Sequence, residues 1–362
     1  YWKLAKFFTD MRGDYEDRDS NYRGGTYSQD NVKLVDANDA VGHSVRFGYF
    51  VSGATDIALI NDDPDYKAAL LRLWDSAVNR KMYVTGAWGT VGNGSDSEGF
   101  GPDYYLPSNN TYAETCATIS NAMWEQRMNL LFNEGKYIDV METALYNGVL
   151  ASADIGGTKF YYTNYIDSSN TPDRSGWFGC ACCPPNLMRT VSGIGGYMYA
   201  TKASEVYANM YIDSHATFDV DGQAITVTQK TRYPYEGNVL FTIDPSVENK
   251  VMQFKVRIPE WQTGFTMKLN GKTIENPEIV DGYVTFDRAW NIGDTIELDL
   301  KMDVQRYYTN ENVDSTRGKV ALTRGPIVFS LEKFDNPVGS TNEYRLDPRA
   351  ELIAKEMDVE GI

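Results

Sequence analysis

The sequence predicts an α + β multidomain protein, helical in its first part and β-rich in its second. Three observations carry this. Apolar residues recur at helical spacing up to about residue 200, and from Val206 onward apolar and polar residues alternate. A length of 362 residues with 42% apolar and 23% charged side chains leaves room for two or three domains, each with its own core. The texture changes near Ser204. The expected division is a helical part over 1–204, a β-sandwich over 205–315, and over 316–362 a further β unit or an extension of the sandwich.

The chain opens on residues 1–8, already amphipathic and helix-like and without an initiator Met, so it reads as a fragment of a longer protein. Over residues 65–82, Tyr66, Ala69, Leu70, Leu73, Trp74 and Ala77 share one helical face. A glycine-rich loop follows over 85–101, the kind of long connection in which function tends to sit. Tyr112, Cys116, Ile119 and Met123 repeat at helical spacing behind the capping candidates Ser108, Asn109 and Asn110. Residues 136–150 and 185–200 continue the helical pattern. Alternation then marks strands at 224–228, 239–243, 253–258 and 295–300, and Asn270-Gly271 signals a hairpin. Short alternating strands between regular turns predict a sandwich.

Fifty acidic residues against 34 basic ones give a net charge of −16, which argues against nucleic acid or an anionic membrane as a partner. The balance fits a soluble protein acting on a neutral ligand. The 25 Tyr and 7 Trp include the kind of ring that stacks on sugars, although packing accounts for most of them. No apolar run approaches the roughly 20 residues of a membrane span, and no signal peptide is visible. A soluble bacterial protein of the cytoplasm or periplasm is the expectation.

The four cysteines fall in two short clusters, Cys116 in Tyr112-Ala113-Glu114-Thr115-Cys116 and the other three in Cys180-Ala181-Cys182-Cys183-Pro184-Pro185. Their number is far below that of a disulfide scaffold. Glu114, Cys116, Cys182 and Cys183 make a full tetrahedral ligand set for zinc, and a thiolate held there is also a candidate nucleophile. Spacing alone leaves this level with buried inert thiols or a pairing of Cys116 with one of the three. Geometry adds a condition. Residues i and i+2 of a helix point about 200° apart, so Glu114 and Cys116 need an irregular or extended backbone. Cys182 and Cys183 need the same, and Pro184-Pro185 is expected to supply it.

Other residues stand out less. His43 is one of two histidines, and a satisfied structural role is the simpler reading. Glu98 lies in a glycine-bounded loop, where a solvated carboxylate is the default. Glu142 sits in an apolar helical stretch and needs a partner or ligand there. Tyr161 and Tyr162 follow Gly156-Gly157 on an expected hairpin and read most simply as packing.

Taken together, Tyr83-Val84-Thr85-Gly86, Glu98, Leu106-Pro107, Tyr112-Ala113-Glu114-Thr115-Cys116-Ala117, Glu142-Thr143-Ala144-Leu145-Tyr146-Asn147-Gly148, Cys182-Cys183-Pro184-Pro185-Asn186 and Ala321-Leu322-Thr323-Arg324-Gly325-Pro326 resemble glycoside hydrolase family 127, the β-L-arabinofuranosidase family. The resemblance runs through nearly the whole chain in family order. It implies a catalytic (α/α)6 barrel, incomplete at its N-terminus here, followed by β-sandwich domains. It implies zinc on Glu114, Cys116, Cys182 and Cys183, with Cys182 as nucleophile and Glu98 as acid/base. His43, Glu142 and Tyr162 match positions near the sugar, and Cys180 matches no ligand. Two departures stand out: the first barrel helices are absent, and the loop over 87–97 is lengthened or altered.

What the resemblance implies is a retaining exo-glycosidase that removes terminal β-L-arabinofuranose from an oligosaccharide or glycan. An acid role for Glu98 at neutral pH calls for a raised pKa. Two other readings remain at this point: a non-catalytic, zinc-stabilised carbohydrate-binding protein, and a helical-barrel hydrolase or lyase of other sugar specificity.

Overall fold

The computed structural model describes residues 1–14, 25–90, 98–109, 111–167, 173–332 and 343–355. Among them, six α-helices come first: α1 (Trp2–Asp10), α2 (Ser44–Asn61), α3 (Pro64–Trp74), α4 (Thr115–Phe132), α5 (Gly135–Ala144) and α6 (Cys183–Gly193). Local chemistry sets their ends. Asp63 caps α3, accepting from the Asp65 and Tyr66 amides at 3.1 and 3.2 Å, with Pro64 in the first turn. Asp62 and Asn133 close α2 and α4 in the left-handed conformation that short polar side chains tolerate.

Helix α4 is buried on every side, through Cys116, Ile119, Trp124 and Met128 but also Asn121, Glu125 and Asn129. A helix covered all round lies inside the molecule. It is therefore a rigid support for whatever its first turn holds. Phe47, Leu70, Trp88, Phe100 and Trp124 form one core between α2, α3, α4 and the loop around Glu98.

The helices run shorter than their apolar spacing suggests. Those expected over 65–82 and 136–150 pass into π-helical turns at Asp75–Arg80 and Leu145–Val149. The one expected over 185–200 stops at Gly193, because Gly193, Gly195 and Gly196 are poor helix formers. Strand β1 (Tyr199–Lys202) follows and pairs with β2 (Glu205–Ala208). Ser108 and Asn109 do not cap α4, which starts at Thr115 after Glu114, and Asn110 lies outside the described residues.

Eight more strands build the sandwich: β3 (Ser214–Val220), β4 (Gln223–Thr231), β5 (Asn238–Pro245), β6 (Lys250–Arg257), β7 (Phe265–Leu269), β8 (Lys272–Thr273), β9 (Tyr283–Trp290) and β10 (Asp294–Leu300). One sheet has the order β1-β2-β6-β9, the other β3-β4-β5-β10-β7-β8. Val206, Phe254, Val256 and Trp290 of the first face Val227, Phe241, Ile243 and Leu298 of the second across a common core. Asn270 (φ 50°) and Gly271 (φ 76°) make the turn between β7 and β8, where two positive φ values favour this pair. A third antiparallel sheet of β11 (Val304–Tyr308), β12 (Val320–Arg324) and β13 (Ile327–Phe329) begins upstream of residue 316, since Val304 pairs with Arg324.

Buried polar contacts join the helices to the sandwich. Arg257 of β6 bonds Asp139 and Glu142 of α5, and Asn129, Asn209 and Tyr283 bond one another. No helix among the described residues is long and apolar enough to cross a membrane.

Candidate active site and metal centre

Two helix starts converge. Glu114 precedes α4 with extended backbone (φ −61°, ψ 137°) and bridges Thr163 on the hairpin segment, and the Thr115 amide donates to the Tyr162 carbonyl at 3.0 Å. Cys116 is the second residue of the helix. This change of backbone meets the condition that Glu114 and Cys116 point the same way. Cys182 precedes α6 and Cys183 opens it. The two thus lie at a helix entry, one of the two expected settings, although the prolines do not make the backbone extended. Cys182 is right-handed helical (φ −79°, ψ −42°), and Pro184 sits in the first turn, where its missing N–H leaves no bond unmade.

Sulfur and oxygen atoms cluster as a result. Cys116 Sγ lies 3.6 Å from Cys183 Sγ, which is 3.7 Å from Cys182 Sγ. Glu114 Oε1 is 3.6 Å from Cys182 Sγ and 3.8 Å from Cys183 Sγ. All four ligand atoms fall within 4.8 Å of one another. Glu114, Cys116 and Cys183 are buried, whereas Cys182 is half-buried. All four cysteines are free thiols, and Cys180 is exposed and outside the cluster.

Glu114 Oε2 is buried without a hydrogen-bond partner. Burial and the Cys116 and Glu98 charges push the Glu114 carboxyl up to about 8. Cys116 falls to about 6, chiefly through its hydrogen bond with the Cys183 thiol. Burial, with the Cys116 and Glu114 charges, pushes Cys182 up to about 12. These shifts leave the donors few of the negative charges they can carry, and a cation among them would reverse that.

Glu98 stands beside this group: ligand atoms of His43, Glu98 and Glu114 also lie within 4.8 Å of one another. Its Oε1 accepts from the Tyr112 hydroxyl at 2.6 Å and the Tyr162 hydroxyl at 3.3 Å, and its Oε2 lies 2.8 Å from His43 Nε2. The Tyr162 ring also packs edge-on against Tyr112 and Phe178. Burial alone would raise the Glu98 carboxyl. The bonds from Tyr112, His43 and Tyr162 outweigh it and hold the group below the usual carboxylate range. The expectation of a raised pKa is therefore corrected: the resting form is the carboxylate. Burial lowers His43 against the pull of Glu98.

His43 caps α2, its Nδ1 accepting from the Arg46 amide at 3.4 Å. The structure brings His43, Tyr162, Glu98 and the four metal-ligand candidates together. Glu142 lies elsewhere. Its buried carboxylate accepts from Arg257 at 2.8 Å and from Trp261 at 3.5 Å, so a cation of the sandwich supplies the partner it needs. Tyr112 was missed as a site residue because its spacing to Cys116 suggested helix packing, yet it lies ahead of α4. The altered loop over 87–97 falls largely outside the described residues, which resume at Glu98.

Residues 1–196 match the description "Beta-L-arabinofuranosidase, GH127 catalytic domain", residues 205–302 the GH127 middle domain and residues 304–359 the glycoside hydrolase family 127 C-terminal domain. The chain belongs to glycoside hydrolase family 127. Over 360 residues it is 35% identical to a non-reducing end β-L-arabinofuranosidase of Bifidobacterium longum subsp. longum, with 94% of this chain and 53% of that protein covered. It is similar to the crystal structure of a GH127 β-L-arabinofuranosidase from Geobacillus stearothermophilus T6, with a TM-score of 0.87, 35% identity, and 93% of this chain and 56% of that one covered. A GH127 β-arabinofuranosidase structure gives 0.83 at 36% identity over 91% of this chain and 52% of the other. This GH127 chain spans about half the length of the relatives it matches.

Proposed function

We propose that the chain carries the catalytic centre of a retaining exo-glycosidase that releases terminal β-L-arabinofuranose from a glycan, in an (α/α)6 barrel to which α1–α6 contribute. Cys182 is the nucleophile, Glu98 the acid/base, and Glu114, Cys116, Cys182 and Cys183 hold zinc. The observation that carries the reading is the exposure of Cys182. Of the four ligand candidates it alone is not fully buried, and Glu114, 3.6 Å from its sulfur, also lies within 4.8 Å of Glu98.

The donor set fits zinc. Zinc–sulfur bonds of about 2.3 Å imply sulfur–sulfur edges of about 3.8 Å in a tetrahedron, close to the 3.6 and 3.7 Å between thiols here. The orphaned Glu114 Oε2 and the protonated thiols are also what a divalent cation would satisfy. When bound, zinc would hold the Cys182 sulfur as its thiolate. Zinc competes with the protons on these ligands, so its affinity is expected to fall steadily as pH drops, which a zinc-binding titration at several pH values checks. Metal analysis of reductively purified protein should find close to stoichiometric zinc, lost in Cys116→Ala; a native disulfide within the cluster would defeat this assignment.

In the first step the Cys182 sulfur attacks the anomeric carbon. A C–S bond forms as the C–O bond breaks, and Glu98 gives its proton to the departing oxygen. Glu98 rests as a carboxylate with its side chain 30% exposed. Substrate covers that exposed part, and desolvation drives the carboxyl toward its protonated form. In the second step Glu98 takes a proton from water as the water oxygen attacks the anomeric carbon, and sulfur leaves. His43 and Tyr162 hold Glu98 in place beside the sugar.

The reading is tested with the full-length protein on a panel of aryl furanosides and pyranosides. Preferential hydrolysis of the β-L-arabinofuranoside is expected, and a preference for another glycoside would overturn the specificity. Four protein ligands also suit a structural clamp. The clamp needs no Glu98, so the acid/base variant separates the two. Glu98→Gln should lose roughly 10²–10⁴-fold on a sugar leaving group and far less on an acidic aryl one. Equal losses on both would remove Glu98 from the acid role.

A further inference from the structure

We propose that Ser44 is a positioning residue for the acid/base: with His43 it forms a two-residue clamp that grips Glu98 at both ends. The inference rests on the acid/base reading of Glu98 given above.

Glu98 has φ 62°. A residue with a Cβ keeps a left-handed backbone only where its surroundings impose it, and such positions gather at functional sites. Ser44 is the group that imposes it. The Glu98 carbonyl accepts two hydrogen bonds from Ser44, one from its amide at 3.0 Å and one from its hydroxyl at 2.8 Å. Ser44 is the first residue of α2, so its amide has no partner within the helix and is free to make this bond. The side chain is fully buried. The residue before it, His43, meets the other end of the same glutamate, Nε2 to Oε2 at 2.8 Å.

Neighbouring residues complete the hold. His43 and Gly99 pair as an isolated antiparallel bridge, and the Phe100 amide donates to the Gly42 carbonyl at 3.0 Å. Phe100 is anchored in turn against Phe47 and Trp88. Gly89 leaves room for the hydroxyl: a Cβ added there would lie 3.1 Å from Ser44 Oγ. With its carbonyl and carboxylate both gripped from the start of one helix, Glu98 has little freedom to swing away from Glu114 and Cys182. General acid catalysis depends on that fixity, because a small misplacement of a reacting group is costly in rate.

The test uses the zinc-loaded full-length protein, with Ser44→Ala, Ser44→Cys and Glu98→Gln measured side by side on a sugar aglycone and on an acidic aryl aglycone. Ser44→Ala keeps the amide bond and loses the hydroxyl bond. On the sugar aglycone it should lower kcat roughly 10–100-fold with a much smaller change in KM, with the loss shrinking on the aryl aglycone. Ser44→Cys nearly keeps the shape with a weaker donor and should fall between Ala and Ser; it also serves if Ser44→Ala does not fold. Zinc content should equal that of the parent. Unchanged kcat, or an equal loss on both aglycones, overturns the clamp. If Glu98→Gln depends on the leaving group and Ser44→Ala does not, the clamp alone fails. If neither does, the acid/base reading fails with it.

Discussion

Cys182→Ser in the zinc-loaded full-length protein should lower turnover of a β-L-arabinofuranoside on the order of 10⁴-fold or more, with the fold intact. A serine hydroxyl stays protonated at neutral pH, reaches less far and is a poor nucleophile, so the covalent route is lost with the sulfur. The fold should survive because Cys182 is the half-buried member of the cluster, whereas Cys116 and Cys183 are sealed between α4 and α6. Three ligands remain, so zinc should be held more weakly but still retained at saturating metal. Cys183→Ser, which breaks the buried part of the set, should instead release the metal. The measurements are kcat, zinc content and intact mass after brief exposure to a slow substrate. The parent protein should gain one pentosyl unit on the peptide carrying Cys182, and the serine variant none. Full activity of Cys182→Ser with zinc bound would leave only a structural role for the thiols.

The cluster of Glu114, Cys116, Cys182 and Cys183 was legible because thiols are rare in this chain and fall in two groups, one of them beside a carboxylate. The helix argument was equally local, and Glu114 does sit where extended backbone turns into α4. Cys182 and Cys183 do sit at a helix entry, but the prolines were credited with extending the backbone, whereas a proline that ends one helix also opens another. The partner of Glu142 could be anticipated in kind but not named, since Arg257 lies 115 residues away on a strand and no local pattern joins them. Glu98 looked like a solvated loop residue. Tyr112, His43 and Tyr162 meet it only in the fold, and so its lowered pKa was hidden as well. Ser44 left no trace in residue type or spacing, because its role lies in the backbone angle of another residue. Strand β1, four residues long, is too short for period to tell it from the helix before it.

Arg257→Met should destabilise the chain by about 3–5 kcal/mol, the cost of removing one partner from a buried ion pair. Arg257 is wholly buried on β6. Its guanidinium bonds Asp139, Glu142 at 2.8 Å and the Asn209 carbonyl at 2.6 Å. Methionine fills much of the same volume but leaves two carboxylates facing each other without a cation. Burial already pushes Asp139 up to about 7 even with the arginine opposing it. A folded-state pKa above the unfolded value favours folding at low pH, and that contribution is lost as pH rises through about 7. Without Arg257 the Asp139 carboxyl should titrate higher still, so the deficit should be largest above neutral pH and shrink in acid. Adding Glu142→Gln to Arg257→Met removes one of the stranded charges and should recover part of the loss, which a double-mutant cycle measures directly. Chemical denaturation followed by tryptophan fluorescence suits the experiment, because Trp261 donates to Glu142 at the site itself. A change within about 0.5 kcal/mol of the parent, or no recovery in the double variant, would show that this ion cluster does not hold the sandwich to α5.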